Sequence, residues 1–241
     1  MKIIKISNNS EAGKVVSDLI LEEVKSNSNI VLGLATGSSP ITTYENIIVK
    51  SKEQNIDWSK VTTFNLDEYK GLAPDHSQSY RYFMNNKLFN HINIDSKNTF
   101  VPSGMIETNQ EAQKYDELIA QKGGIDLQLL GLGINGHVGF NEPGSEFEGL
   151  TSVVKLTKST IEANARFFDN EKDVPTQAIS MGLKSIMNAK KIILIATGEA
   201  KAEAVKNLVE GPVSKNWPCS ILLNHKDVTV VIDHEAAKLL K

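Results

Sequence analysis

Short runs of continuous aliphatic residues, each followed by a helical pattern, recur along the whole 241-residue chain. This rhythm leaves few folds open. The runs Ile125-Asp126-Leu127-Gln128-Leu129-Leu130 and Lys191-Ile192-Ile193-Leu194-Ile195-Ala196 lack the polar alternation of a half-exposed strand. They read as strands covered on both faces, as in a parallel sheet. Strands are expected at 3–6, 30–34, 61–66, 126–130, 178–181, 191–196, 220–223 and 228–232. Helices are expected at 11–25 with Ser10 as N-cap, 40–52 with Pro40 at its start, 77–90, 109–121 and 199–210. The expected fold is α/β: a three-layer αβα arrangement with a mostly parallel, doubly wound, Rossmann-like sheet, in one domain over 1–241. Residues 141–150, NEPGSEFEGL, read as a long loop or lid.

Composition narrows the function classes. Lys plus Arg is 26 against 29 Asp plus Glu, a net charge of −3, so no broad basic surface for nucleic acid is implied. A single cysteine, Cys219, excludes a disulfide framework and a Cys-rich zinc site, and suits a reducing, cytoplasmic compartment. The amino terminus has no signal-peptide pattern, and no run approaches the ~18 apolar residues of a membrane span. Only two arginines occur, Arg81 and Arg166, among 24 lysines. A guanidinium binds carboxylate or phosphate in a bidentate way that lysine cannot.

Four segments carry candidate chemistry. Gly33-Leu34-Ala35-Thr36-Gly37-Ser38-Ser39-Pro40 follows a strand and opens a helix, so Thr36, Gly37, Ser38 and Ser39 could cradle an anion. It matches neither a Walker loop nor GxGxxG, and an ordinary strand-to-helix turn is the alternative. Asn65-Leu66-Asp67-Glu68-Tyr69 puts paired carboxylates at a strand end, where a general base or a helix cap would both fit. The third segment is GLGINGHVGFNEP, residues 131–143. Its formal GxGxxG is not a dinucleotide fingerprint, because Gly139 and Pro143 interrupt the helix that should follow. It is a loop carrying Asn135, His137 and Glu142, suited to proton shuttling near neutrality. The remaining histidines show no ligand spacing such as HExxH, so no metal is expected. In the fourth segment, Lys201 sits at the start of a helix, where a cation opposes the dipole unless it meets an anion. Gly37, Asp67, His137 and Thr197 all follow expected strands, so one crevice would gather them.

With these residues in view, the chain resembles the glucosamine-6-phosphate deaminase family. The matching pieces are GLATGSSPITTY (33–44), FNLDEY (64–69), GLGINGHVGFNEP (131–143), ANARFF (163–168) and GEAKAEAV (198–205), in the family's order and spacing. The resemblance implies that D-glucosamine 6-phosphate becomes D-fructose 6-phosphate and ammonia. His137, supported by Asn135 and Glu142, would open the ring. Asp67 would move the proton from C2 to C1. Residues 36–39 with Gly136, Arg166 and Lys201 would bind the substrate and its 6-phosphate. No cofactor is implied.

Two departures stand out. Asn135 occupies the place of an Asp in the larger hexameric members. Thr151-Ser152-Val153-Val154-Lys155 keeps one lysine where those members bind N-acetylglucosamine 6-phosphate through several basic residues. An unregulated monomer or small homo-oligomer is therefore expected, acting on a phosphorylated amino sugar in amino-sugar catabolism. The rival readings are a 6-phosphogluconolactonase, which needs no base at C2, and a non-catalytic sugar-phosphate sensor domain, which would carry a DNA-binding element.

Overall fold

The computed structural model describes residues 1–165, 168, 170 and 173–241. The element order is β1 (Lys2–Ile6), α1 (Asn9–Ser26), β2 (Val31–Leu34), α2 (Ile41–Glu53), β3 (Thr62–Asn65), β4 (Asp67–Tyr69), α3 (Tyr80–Lys87), β5 (Thr99–Phe100), α4 (Asn109–Gln121), β6 (Leu127–Gly131), β7 (Ser152–Lys155), α5 (Lys158–Ala165), β8 (Gln177–Ser180), α6 (Leu183–Met187), β9 (Lys191–Ala196), α7 (Ala202–Val209) and β10 (Val228–Asp233). Seven strands form one parallel sheet in the order β1-β10-β9-β6-β2-β3-β5.

The unbroken aliphatic runs are buried on both faces. Along β9, Ile192, Leu194 and Ala196 join one core cluster while Ile193 and Ile195 join the other. The first cluster lies under α4, α6 and α7, the second under α1, α2 and α3. This is the doubly wound, mostly parallel α/β sheet the sequence predicts.

The strand order reverses between β2 and β6. From β2 the chain proceeds outward to β3 and β5; from β6 it proceeds the other way to β9 and β10. The carboxyl ends of two such neighbours diverge and leave a crevice.

A second sheet, absent from the sequence expectation, abuts this crevice. It is antiparallel, in the order β4-β8-β7. The chain passes between the sheets at Leu66. Its N–H donates to Leu34 O of β2 (3.1 Å), and its carbonyl accepts from Met181 N (2.8 Å) just past β8. The run at 178–181 therefore belongs to this small sheet, not to the parallel one. Residues 220–223 are not a strand either. They lie in a 3-10 turn, Pro218–Asn224, which proline starts and which packs as a short apolar plug. Short apolar runs do not distinguish the two states.

Helix ends also differ in detail. Asn8, not Ser10, caps α1 by accepting from Glu11 N (3.0 Å). The helix expected at 77–90 is α3 alone, capped by Ser79, with a 3-10 turn at Phe89–His91 after it. Residues 199–210 open with a 3-10 turn, Glu199–Lys201, before α7.

The segment 141–150 is tied down at several points. Gly144 N donates to Lys215 O (2.8 Å), Lys184 N donates to Gly149 O (3.0 Å), and Glu146 and Glu148 pair with Lys215 and Lys184. Among the described residues no helix is long and apolar enough to cross a membrane.

Helices α1 and α2 touch closely at Gly13, where an added Cβ would overlap Thr42. Alanine is the better helix former by about 1 kcal/mol. Forcing a methyl into a packed contact with backbone costs typically 1–3 kcal/mol. Packing wins, so Gly13→Ala should lower stability by about 1 kcal/mol and Tm by roughly 2–4 °C in thermal unfolding.

Candidate active site

A cleft of about 460 Å³ opens over the switch between β2 and β6. Its wall comes from the loops after β2 and β6, from Leu66 and Asp67, from Tyr80, Thr160 and Lys201, and from Gly139 and Phe140.

One side is built to receive an anion. Thr36, Gly37, Ser38 and Ser39 line it directly below the start of α2. Gly37 turns at φ 87°, a conformation that favours glycine. Helix α2 has no side-chain cap and no acidic residue in its first turn, so its free N–H groups meet no competing charge. Tyr44 O–H donates to Ala35 O (2.5 Å) and braces the loop from behind. Lys201 also lines the cleft, and burial lowers its pKa, as expected of an ammonium short of a counter-ion. Among the described residues none forms an ion pair with Lys201.

Asp67 lies where the chain leaves the parallel sheet. It is 6% exposed, and its carboxyl makes no hydrogen bond among the described residues. Burial, with the Glu68 charge beside it, pushes its pKa up to about 8. The folded protein thus holds this proton more tightly than the unfolded chain. The group favours folding most below its unfolded value near 4, and that contribution is lost as pH rises through about 8.

A hydrogen-bonded chain runs along the wall on the loop after β6. His137 Nδ1 is 2.7 Å from Asn135 Oδ1, and Asn135 Nδ2 donates to Glu142 Oε2 (2.7 Å). Glu142 Oε1 accepts from Thr160 Oγ1 (2.9 Å). Burial opposes ionisation of Glu142, but the bonds from His137 and Asn135 outweigh it and hold its pKa at about 2. An ionised carboxylate only accepts, so it takes the amide nitrogen of Asn135 and turns the amide oxygen to His137. Nδ1 must then carry the imidazole proton, which leaves Nε2 as the free nitrogen.

The structure brings together Asp67, Asn135, His137, Thr36, Gly37, Ser38, Ser39 and Lys201 around this cleft, with Glu142 bonded behind the wall. Gly136 is not in the wall. Its φ is 81°, and a Cβ there would lie 2.7 Å from Trp217 Cε3, so its conformation serves the turn and its packing. Arg166 lies outside the described residues. Sequence reasoning missed Tyr80 and Thr160. Tyr80 was detectable as an aromatic residue just after a capping serine near the Asp67 strand; Thr160 carried no signal. Among the described residues no group of three or more His, Cys, Asp or Glu could hold a metal ion.

A sequence model described as glucosamine-6-phosphate isomerases/6-phosphogluconolactonase matches residues 8–231. The chain belongs to this family. It is 54% identical over 242 residues to a glucosamine-6-phosphate deaminase of Clostridium perfringens strain 13, with both chains covered completely. Identity is 53% over 240 residues to a glucosamine-6-phosphate deaminase of Mycoplasma mycoides, covering 100% of this chain and 98% of the other. A solved structure of a monomeric glucosamine-6-phosphate deaminase superposes with a TM-score of 0.95 at 41% identity, covering 99% and 100% of the two chains. The 6-phosphogluconolactonase of Trypanosoma cruzi, at 22% identity and a TM-score of 0.77 over 100% and 97%, shares the fold.

In this family member the imidazole leans on Gly133, where a Cβ would overlap the ring. Gly133→Ala should displace His137 from Asn135. The expected readout is loss of the Nδ1 proton signal by NMR, with the protein still folded.

Proposed function

We propose that the protein converts D-glucosamine 6-phosphate and water to D-fructose 6-phosphate and ammonia. The observation that carries this reading is the uncommitted carboxyl of Asp67 in the same cleft as the His137–Asn135–Glu142 chain. Full-length relatives more than half identical bear the name glucosamine-6-phosphate deaminase, which supports it.

The 6-phosphate occupies the Thr36–Gly37–Ser38–Ser39 cradle with Lys201, and Arg166 joins it. His137, with Nε2 free, relays the proton from the C1 hydroxyl to the ring oxygen, and the sugar opens to its aldehyde. Asp67 as carboxylate removes the proton from C2, which the aldehyde and the amino group acidify. It returns that proton to C1 while an amino proton passes to the former aldehyde oxygen, leaving a hydroxymethyl group at C1 and an imine at C2. Water adds to the imine and ammonia departs, the hydrolytic step. Every step is a proton transfer or the addition of water, within reach of side-chain acids and bases. A lactonase would use the cradle and His137 but leave Asp67 without a task. A sensor would use the cradle and leave His137 and Asp67 idle. We infer further an unregulated monomer or small homo-oligomer in the cytoplasm, serving amino-sugar and N-acetylglucosamine breakdown.

Ammonia and fructose 6-phosphate, measured together, should form in equal amounts, unchanged by EDTA or by N-acetylglucosamine 6-phosphate. Hydrolysis of 6-phosphogluconolactone without ammonia release would select the lactonase instead. Asp67→Asn should still bind the sugar phosphate, while deamination and C2 proton exchange fall by about 10³-fold. Full activity in that variant would remove Asp67 from the role of base.

The pH profile follows from the buried carboxyl. Only ionised Asp67 takes a proton, and kcat/KM reports the free enzyme. The rate constant should therefore rise tenfold per unit on the acid side and level off above about pH 8.

A further inference from the structure

Glu68, next to the base, is 2% exposed and lies outside the cleft wall. Alternation along β4 sends its side chain to the opposite face from that of Asp67. There its Oε1 accepts from Tyr69 N (2.8 Å) and Tyr80 N (2.8 Å), and its Oε2 from Arg81 N (3.0 Å). Two of these amides open α3, whose first turn contains no acid of its own. The carboxylate from β4 thus serves as the anion at that helix end.

What α3 carries explains why this matters. Tyr80, its first residue, lines the cleft and shares hydrogen bonds with Thr36 and Tyr69. Its ring lies 4.7 Å from that of Tyr69 and stacks on Phe140 at 6.3 Å, within 6° of parallel. Arg81 fixes the same turn to β5 through Thr99 Oγ1 and O, both at 2.8 Å.

We propose that Glu68 is a positioning residue: clamped on the first amides of α3, it sets Tyr80 in the wall beside the base and holds a fixed negative charge behind Asp67. Of the two adjacent carboxyls, Glu68 has three N–H donors and Asp67 has none among the described residues. Burial raises the pKa of both carboxyls, but only Glu68 has N–H donors that oppose it, so of the two the charge rests on Glu68 and the proton on Asp67. The other titratable groups around Asp67 are Tyr69 on its own strand, Tyr80 of α3 and Tyr115 of α4, with His137 and Lys201 elsewhere in the wall of the same cleft. Arg81 faces Glu68. Burial keeps Tyr80 and Tyr115 neutral. Among the described residues, Glu68 is thus the charge that acts on the base.

This inference rests on the deaminase reading, so ammonia release by the wild-type protein is measured first. Its absence would sink that reading. The test proper compares kcat/KM against pH for wild type, Glu68→Gln and Glu68→Asp. Removing the charge in Glu68→Gln should move the acid limb down by roughly one to two pH units. Loss of the Arg81 amide contact should raise KM about fivefold. Glu68→Asp keeps the charge but shortens the reach, so the limb stays while KM rises. A limb in Glu68→Gln that coincides with wild type, with activity lost only in proportion to folded protein, would overturn the proposal. The wild-type protein offers a measurement independent of variant folding, carboxyl-carbon NMR titration. At pH 7 Glu68 should be ionised and Asp67 protonated, and the reverse order would also overturn it.

Discussion

A carboxyl group held out of water with no hydrogen-bond partner among the described residues is a costly arrangement, and the site is organised around it. Burying an unpaired charge is prohibitive, so such a group stays protonated until something stabilises its anion. Among the described residues no lysine or arginine pairs with Asp67. Arg81 goes to Thr99, and Lys201 lines the cleft without an ion pair among the described residues. Asp67 is left free to react, at the cost of fold stability at alkaline pH. The surrounding structure over-determines its place. Leu66 is bonded into both sheets, Glu68 is pinned to α3, and Gly139 leaves room above, a Cβ there lying 3.5 Å from Asp67 Oδ2.

The larger architecture explains why one carboxyl can meet both an anion cradle and an imidazole. Parallel strands deliver their following loops to one edge, and the reversal of order between β2 and β6 parts two of those loops. The loop after β2 opens α2 and offers amides. The loop after β6 cannot run into a helix, because Gly139 and Pro143 interrupt it. It folds back on itself instead, with Gly133 N donating to His137 O (2.8 Å). That short closure leaves the imidazole in the cleft wall. The small antiparallel sheet then brings Asp67 to the same crevice from a third direction.

Much of this was legible in the chain. Continuous aliphatic runs announced doubly covered parallel strands, and the residues after β2, β3 and β6 announced a shared edge. The antiparallel sheet was not legible, for a physical reason. Strand β4 has only three residues and includes two acids, so it owes its strand geometry to pairing with β8 rather than to pattern or propensity. Strand β5 has two residues and falls below any periodic signal. Likewise, the run at 220–223 has the aliphatic content of a strand, and only Pro218 ahead of it hinted at a turn. Within the site, the polar residues were visible because chemistry restricts which side chains can act. Tyr80 left only the signal of an aromatic residue after a capping serine, because its place in the cleft comes from a bond between Glu68 and a helix end twelve residues away.

Asn135 shows how an amide can link an imidazole to a carboxylate where an acid would add a second charge. An acid at this position would bond His137 directly and lie against Glu142, putting two carboxylates side by side in a half-buried pocket. Such pairs resist double ionisation. The amide avoids this. It accepts from the imidazole on one side and donates to Glu142 on the other, so one carboxylate serves the whole chain. Glu142 Oε2 lies 3.6 Å from His137 Nδ1, close enough to stabilise an imidazolium as the ring takes up a proton. The tautomer is set by the amide, the charge by Glu142, and the two tasks that a single acid would combine are divided between neighbours. Because Thr160 holds the second oxygen of Glu142, that charge is anchored from α5, on the opposite side from the imidazole it serves.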